Sequence, residues 1–170
     1  MMNSKAEDQA VRTYQLKAIA HGAMVVLVGM FAGVMLTFSV LGEISFWPLF
    51  SMTVDVPGDT SLWRGAHTGP IMNGLMCIIL AGTLGLVNAD PQSAKRVCIS
   101  LILMVWGNTI FYIARMWGTD NRGLALHTEK YGDGNIFDLI ALVPAFVVVG
   151  FGIYAVVTVI KLAFKAAKRA

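Results

Sequence analysis

The residues able to do chemistry gather in two of four long apolar stretches. One opens with Arg64-Gly-Ala-His67-Thr-Gly-Pro70-Ile-Met-Asn73-Gly74. In the next, Met104, Asn108, Tyr112 and Arg115 recur at three- and four-residue intervals, which puts them on one helical face. Polar groups at membrane depth are costly, so each needs a partner or a task. An imidazole can ligate a metal or cofactor, or hold a neighbouring helix by a hydrogen bond, and His67 is open to both readings. Asn73 and Tyr112 either join helices or take part in catalysis. Asn108 reads as the joining kind, Arg115 as a cation that snorkels to the interface, and His127 as a solvated loop residue.

The elements that must position these groups follow from the apolar runs 18–41, 69–87, 97–117 and 139–160. Each is close to the ~20 residues a helix needs to cross a ~30 Å hydrocarbon core. None alternates as a barrel strand would. The chain is 56% hydrophobic and 14% charged, whereas a soluble domain carries about 25% charged residues. The expected fold is all-α and integral to the membrane, a bundle of four transmembrane helices. Residues 1–17 form a cytoplasmic N-terminal segment, 18–162 the single membrane domain, and 163–170 a basic cytoplasmic tail. The first run is too long for a cleavable signal and lacks a small-x-small site at its end. Cys77 and Cys98 fall inside or at the edge of runs, so nothing demands an oxidising compartment. Gly29 and Gly33 form a small-xxx-small packing signal.

Charge sets the orientation. Nine of the thirteen basic residues lie in the N-terminal segment, the 88–96 link and the tail, which share one side of a four-span protein. The positive-inside rule places both termini in the cytoplasm, and the net charge of +3 reflects topology rather than nucleic-acid binding. With alternating helix directions, His67, Asn73, Asn108 and Tyr112 are expected to converge in the outer half of the bilayer. Pro70 is expected in the first turn of its helix, with His67 at the helix mouth. His21 starts the first run on the cytoplasmic side, a membrane thickness from His67, which excludes a haem shared by the two within one subunit. The outer loops 42–68 and 118–138 are longer than connectors need to be, and Trp47, Trp63 and Trp117 suit an interfacial belt.

Several short segments carry a family likeness. Val56-Pro57-Gly58, Trp63, Ala66-His67-Thr-Gly-Pro70, Asn73-Gly74, Phe111-Tyr112, Asn121-Arg122-Gly123-Leu124 and Gly134-Asn-Ile-Phe137 resemble the styrene oxide isomerases, and Ala20-His21-Gly22 also fits. The resemblance implies a homotrimer of four-helix subunits in the bacterial inner membrane, with haem b at subunit interfaces. It implies that His67 is the one protein ligand to ferric iron, with Tyr112 and Asn73 on the open face as catalytic residues. The implied reaction turns a small apolar aryl epoxide, such as styrene oxide, into phenylacetaldehyde. This is a Lewis-acid Meinwald rearrangement with a 1,2-hydride shift. Arg122 is placed toward a haem propionate by its charge and side. The chain departs from the pattern at Met104, where the family has an aspartate, and this bears on the substrate more than on the haem site. The alternative is a membrane b-type haem protein for electron transfer or sensing, using the same His67. A transporter or structural bundle ranks below both, because no acidic residue lies in mid-span.

Overall fold

In a computed structural model, which describes residues 2–169 and side chains from residue 5 onward, three helices begin at a side chain that accepts from their free first amides. Asp59 accepts from the Ser61 amide at 2.6 Å and starts α2 (Thr60–Thr83). Asp90 accepts from Gln92 and Ser93 and starts α3 (Pro91–Ala114), whose Pro91 occupies the first turn, where no amide is missed. Asn135 and Asp138 cap each other's amides in a capping box that starts α4 (Ile136–Ala167). The remaining helix, α1 (Met2–Leu41), precedes a hairpin of β1 (Glu43–Phe46) and β2 (Phe50–Thr53). A 3₁₀ turn, Arg115–Trp117, continues α3 into a loop with a second small hairpin, β3 (His127–Thr128) and β4 (Gly132–Asp133). Both hairpins lie at one end of the bundle, called here the outer end.

The helices are longer than the apolar runs, and this corrects where Pro70 and His67 were expected. Residues 2–17 form the first turns of α1, which is about 60 Å long at ~1.5 Å per residue. Its Gln15 side chain donates to the carbonyls of Ala81 and Gly82 in the last turn of α2, the first of which also accepts from the Leu84 amide. Pro70, in turn, does not lie in a first turn. The Asp59 cap starts α2 ten residues earlier, so Pro70 is interior and the Ala66 carbonyl loses its usual amide donor. His67 therefore sits about two turns inside the helix rather than at its mouth.

Three helical segments are long and apolar enough to cross a membrane: Lys5–Leu41, Pro91–Trp117 and Ile136–Ala167. At 24 residues α2 is also long enough, but Arg64, His67, Thr68 and Asn73 dilute its outer half. It nevertheless lies tight against α1. A Cβ on Gly22 would come within 2.8 Å of the Gly74 carbonyl, and one on Gly74 within 2.6 Å of the Gly22 carbonyl. On the other side of the bundle Gly107 admits Val148, and Gly152 admits the Met104 sulfur. The main core lies toward the inner end and includes Val25, Cys77, Leu84, Val97, Leu101 and Met104. A smaller cluster of Ala32, Trp63, Ala66 and Met116 closes the outer end.

Candidate functional site

His67 points from α2 toward α1, where its Nδ1 lies 2.9 Å from the Gly29 carbonyl. A carbonyl only accepts, so this contact assigns the proton to Nδ1 and leaves the lone pair of the neutral ring on Nε2. Gly33 makes the room: a Cβ there would lie 2.6 Å from Nδ1 and 2.8 Å from Cε1. The Gly29/Gly33 pair is thus a seat for an imidazole as well as a packing signal. A hydrogen bond that fixes the tautomer while leaving the other nitrogen free is the usual support of a metal-bound histidine.

Tyr112 comes from α3 and lays its ring on Gly69 of α2, where a Cβ would overlap the ring atoms. One turn outward, the Arg115 guanidinium occupies the space above Gly65 in the same way. These two contacts fix the antiparallel register of α2 and α3. Carried one turn inward, that register sets Asn73 level with Asn108. Similar depth was expected and is found for His67 and Tyr112, with Asn73 about one turn deeper.

Convergence on one side is not found. Two residues along a helix turn it by about 200°, so His67 and Gly69 lie on opposite flanks of α2. The imidazole faces α1, whereas the phenol ring lies on the α3 side. Among the described residues no hydrogen bond engages the side chains of Asn73, Asn108 or Tyr112, so the helix-joining role is not filled within this chain. His21 does find a partner, accepting at Nδ1 from Trp106 Nε1 at 3.0 Å. Its distance from His67 is smaller than a membrane thickness, because His21 lies only twelve residues from Gly33 along α1, about 18 Å. That still prevents the two from sharing one metal within a subunit.

The outer loops position this region through a carboxylate that the sequence did not single out. Asp138 is fully buried and accepts from the amides of Thr119, Gly123 and Asn135 and from the Thr119 hydroxyl. Gly123, at φ 69°, packs on Ala141 and Arg115, so this hub fixes the loop over the end of α3. Asn121 is buried too, donating to the Gly132 carbonyl and accepting from Thr128. Trp63 donates to the Pro57 carbonyl. Much of the recognisable loop pattern therefore does structural work. Arg122 is exposed at φ 55°, and His127 pairs with Asp133 in the open. Met104 is 4% exposed and packs on Gly152, away from the phenol.

The donor set limits what can be held. Among the described residues no group of three His, Cys, Asp or Glu side chains is placed to bind a bare metal ion. One free imidazole nitrogen suits a metal that brings its remaining ligands with it, as in a macrocycle. A hollow of about 680 Å³ between α3 and α4, beside Arg96, Ser100 and Tyr154, is lined by none of His67, Asn73 and Tyr112.

The sequence comparisons agree with one another. A family model described as styrene oxide isomerase matches residues 14–164. A styrene-oxide isomerase of Pseudomonas fluorescens is 29% identical over 161 residues, covering 93% of this chain and 91% of that protein.

Proposed function

The chain belongs to the styrene oxide isomerase family and is an isomerase, and on that premise we propose that it converts a small aryl epoxide such as styrene oxide to the aldehyde. The working unit is a homotrimer of four-helix subunits in the bacterial inner membrane, with both termini cytoplasmic. It binds haem b through His67. The observation that carries this reading is the His67 seat, with Nδ1 held by the Gly29 carbonyl and Nε2 left free.

His67 would hold ferric haem at that nitrogen, and the haem would supply Lewis-acid chemistry there. The chain's own part is to orient the substrate, stabilise charge and exclude water. The Tyr112 hydroxyl and the Asn73 amide, both without a partner among the described residues, donate hydrogen bonds to the epoxide oxygen as negative charge grows on it. The benzylic C–O bond opens because the aryl ring delocalises the positive charge. A hydride then moves from the CH₂ carbon to the benzylic carbon, and the oxygen-bearing carbon becomes the aldehyde. Atoms and electrons balance without a co-substrate. Water would trap the cation as a diol, so an apolar neighbour such as Phe111, edge-on to Tyr112, matters by keeping it out.

The opposite flanks occupied by His67 and Tyr112 support a site shared between subunits, one giving the imidazole and its neighbour the phenol. The test is product analysis after the haem-loaded protein meets styrene oxide. Phenylacetaldehyde is expected. Recovery of unchanged epoxide, with a six-coordinate low-spin spectrum that epoxide does not perturb, would instead indicate an electron carrier or sensor.

A further inference from the structure

Among the described residues Arg115 has no counter-ion. Its Nε is buried and, among the described residues, is the only fully buried side-chain nitrogen or oxygen without a hydrogen bond. The guanidinium carbon lies 5.1 Å from the Phe111 ring centroid and 5.0 Å from that of Tyr112. Ring faces attract a cation but accept no conventional hydrogen bond from it. Asp138, which shares the surroundings of Gly118 with the Arg115 backbone, is already committed to four donors. Among the described residues the only ion pair is His127 with Asp133. Arg122 adds a second positive charge to the surroundings of Arg115. A half-buried guanidinium whose Nε is cut off from water is completed by an anion that reaches it from outside the chain.

We propose that Arg115 is an anion-binding residue that receives a carboxylate of the bound prosthetic group. This rests on the haem reading above, and it moves to Arg115 the role that charge alone gave to exposed Arg122. Haem b carries its two carboxylates on one edge, and Arg115 stands one turn outward of Tyr112, at the more polar end of the bundle. Five fixed donors suit a carboxylate better than a lysine would. Phosphate is met by the same fork, so a phospholipid headgroup is the competing source of the anion.

The test compares wild type, Arg115→Gln, Arg115→Lys and Arg122→Gln, each purified and loaded with haem b or with haem dimethyl ester, which lacks the carboxylate charges. The readout is the rate of haem loss to excess apomyoglobin. Arg115→Gln is expected to release haem b at least tenfold faster than wild type, Arg115→Lys at an intermediate rate, and Arg122→Gln at the wild-type rate. With the dimethyl ester, wild type and Arg115→Gln should release alike. Equal release of haem b by wild type and Arg115→Gln overturns the assignment. So does an equal acceleration with the ester, which would mark a merely misfolded variant. If haem b release is unchanged but bound lipid phosphorus falls in Arg115→Gln, the anion is a headgroup and the carboxylate assignment is wrong. A wild type that binds neither haem contradicts the haem reading itself, which is a different result from a wild type that holds haem without needing Arg115.

Discussion

On the flank of α2 that faces α1, Gly33 of the neighbouring helix admits the His67 ring, while Gly29, close against Ile71 and the α2 backbone, offers it a carbonyl; on the flank that faces α3, glycines 65 and 69 of α2 itself admit Arg115 and Tyr112. Both flanks use glycines four residues apart, one helical turn, so each pair clears one strip of surface. The contents differ. The imidazole is held at one nitrogen by a carbonyl, with its ring orientation fixed. The phenol and the guanidinium are held by packing alone, and their hydrogen-bonding groups have no partner among the described residues. One flank is arranged to present a ligand and the other to receive something that accepts hydrogen bonds. Each interior glycine costs about 1 kcal/mol of helix stability relative to alanine, which makes close approach, not helix formation, the reason for these four.

The sharpest way to break this contrast is to fill the first flank. Gly33→Leu should reduce bound haem more than tenfold, since even a Cβ meets the imidazole, whereas Gly82→Leu, with nothing within 4 Å, should leave it unchanged. Haem absorbance per mole of protein measures both. On the second flank, Tyr112→Phe should keep haem and lower turnover about 100-fold, the typical effect of losing a hydrogen-bond donor to developing negative charge. Gly69→Ala should act in the same direction by displacing the ring. Unchanged turnover in Tyr112→Phe would remove the phenol from the chemistry.

Smaller effects are expected where the loops and caps support both flanks. Asp138→Asn leaves a buried hub short of acceptors and should cost about 3 kcal/mol, read as a lower melting temperature in detergent. Asp90→Ala should cost about 1 kcal/mol through loss of the α3 cap. Hydrogen bonds from the Ser93 side chain, then from its amide, hold the Asp90 carboxyl below its ordinary 3.8. A depressed carboxyl stabilises the fold above the unfolded value and loses that contribution as pH falls through the folded one. Wild type and Asp90→Ala should therefore differ in stability near neutral pH and converge as pH falls through the lowered Asp90 value. A difference that persists there would place the cap's effect elsewhere.

The four helices were legible because long apolar runs report burial in lipid or protein regardless of detail. Their ends were not. The Asp59 cap starts α2 well ahead of residue 69, where hydropathy rises, and that shift alone moved Pro70 and His67 into the helix interior. Within the site, depth could be counted along each run, but the side on which a residue emerges depends on which helix packs where. The two-residue step from His67 to Gly69 already implied opposite flanks. Gly29 and Gly33 were visible as a packing signal, though not their guest, which comes from another helix. Asn135 and Asp138 had capping-box spacing, but Asp138's further partners come from a loop nearly twenty residues earlier. Arg115 looked like a snorkelling cation because nothing in the sequence tells that Gly123 folds over it.

The central claim is that the α1 flank seats the sole protein ligand of a haem. Its most direct test is the visible absorption spectrum of the detergent-purified protein beside His67→Ala. A Soret band in the wild type that is lost in His67→Ala is the expected result. A wild type without that band, or a variant that retains it at full strength, would contradict the claim.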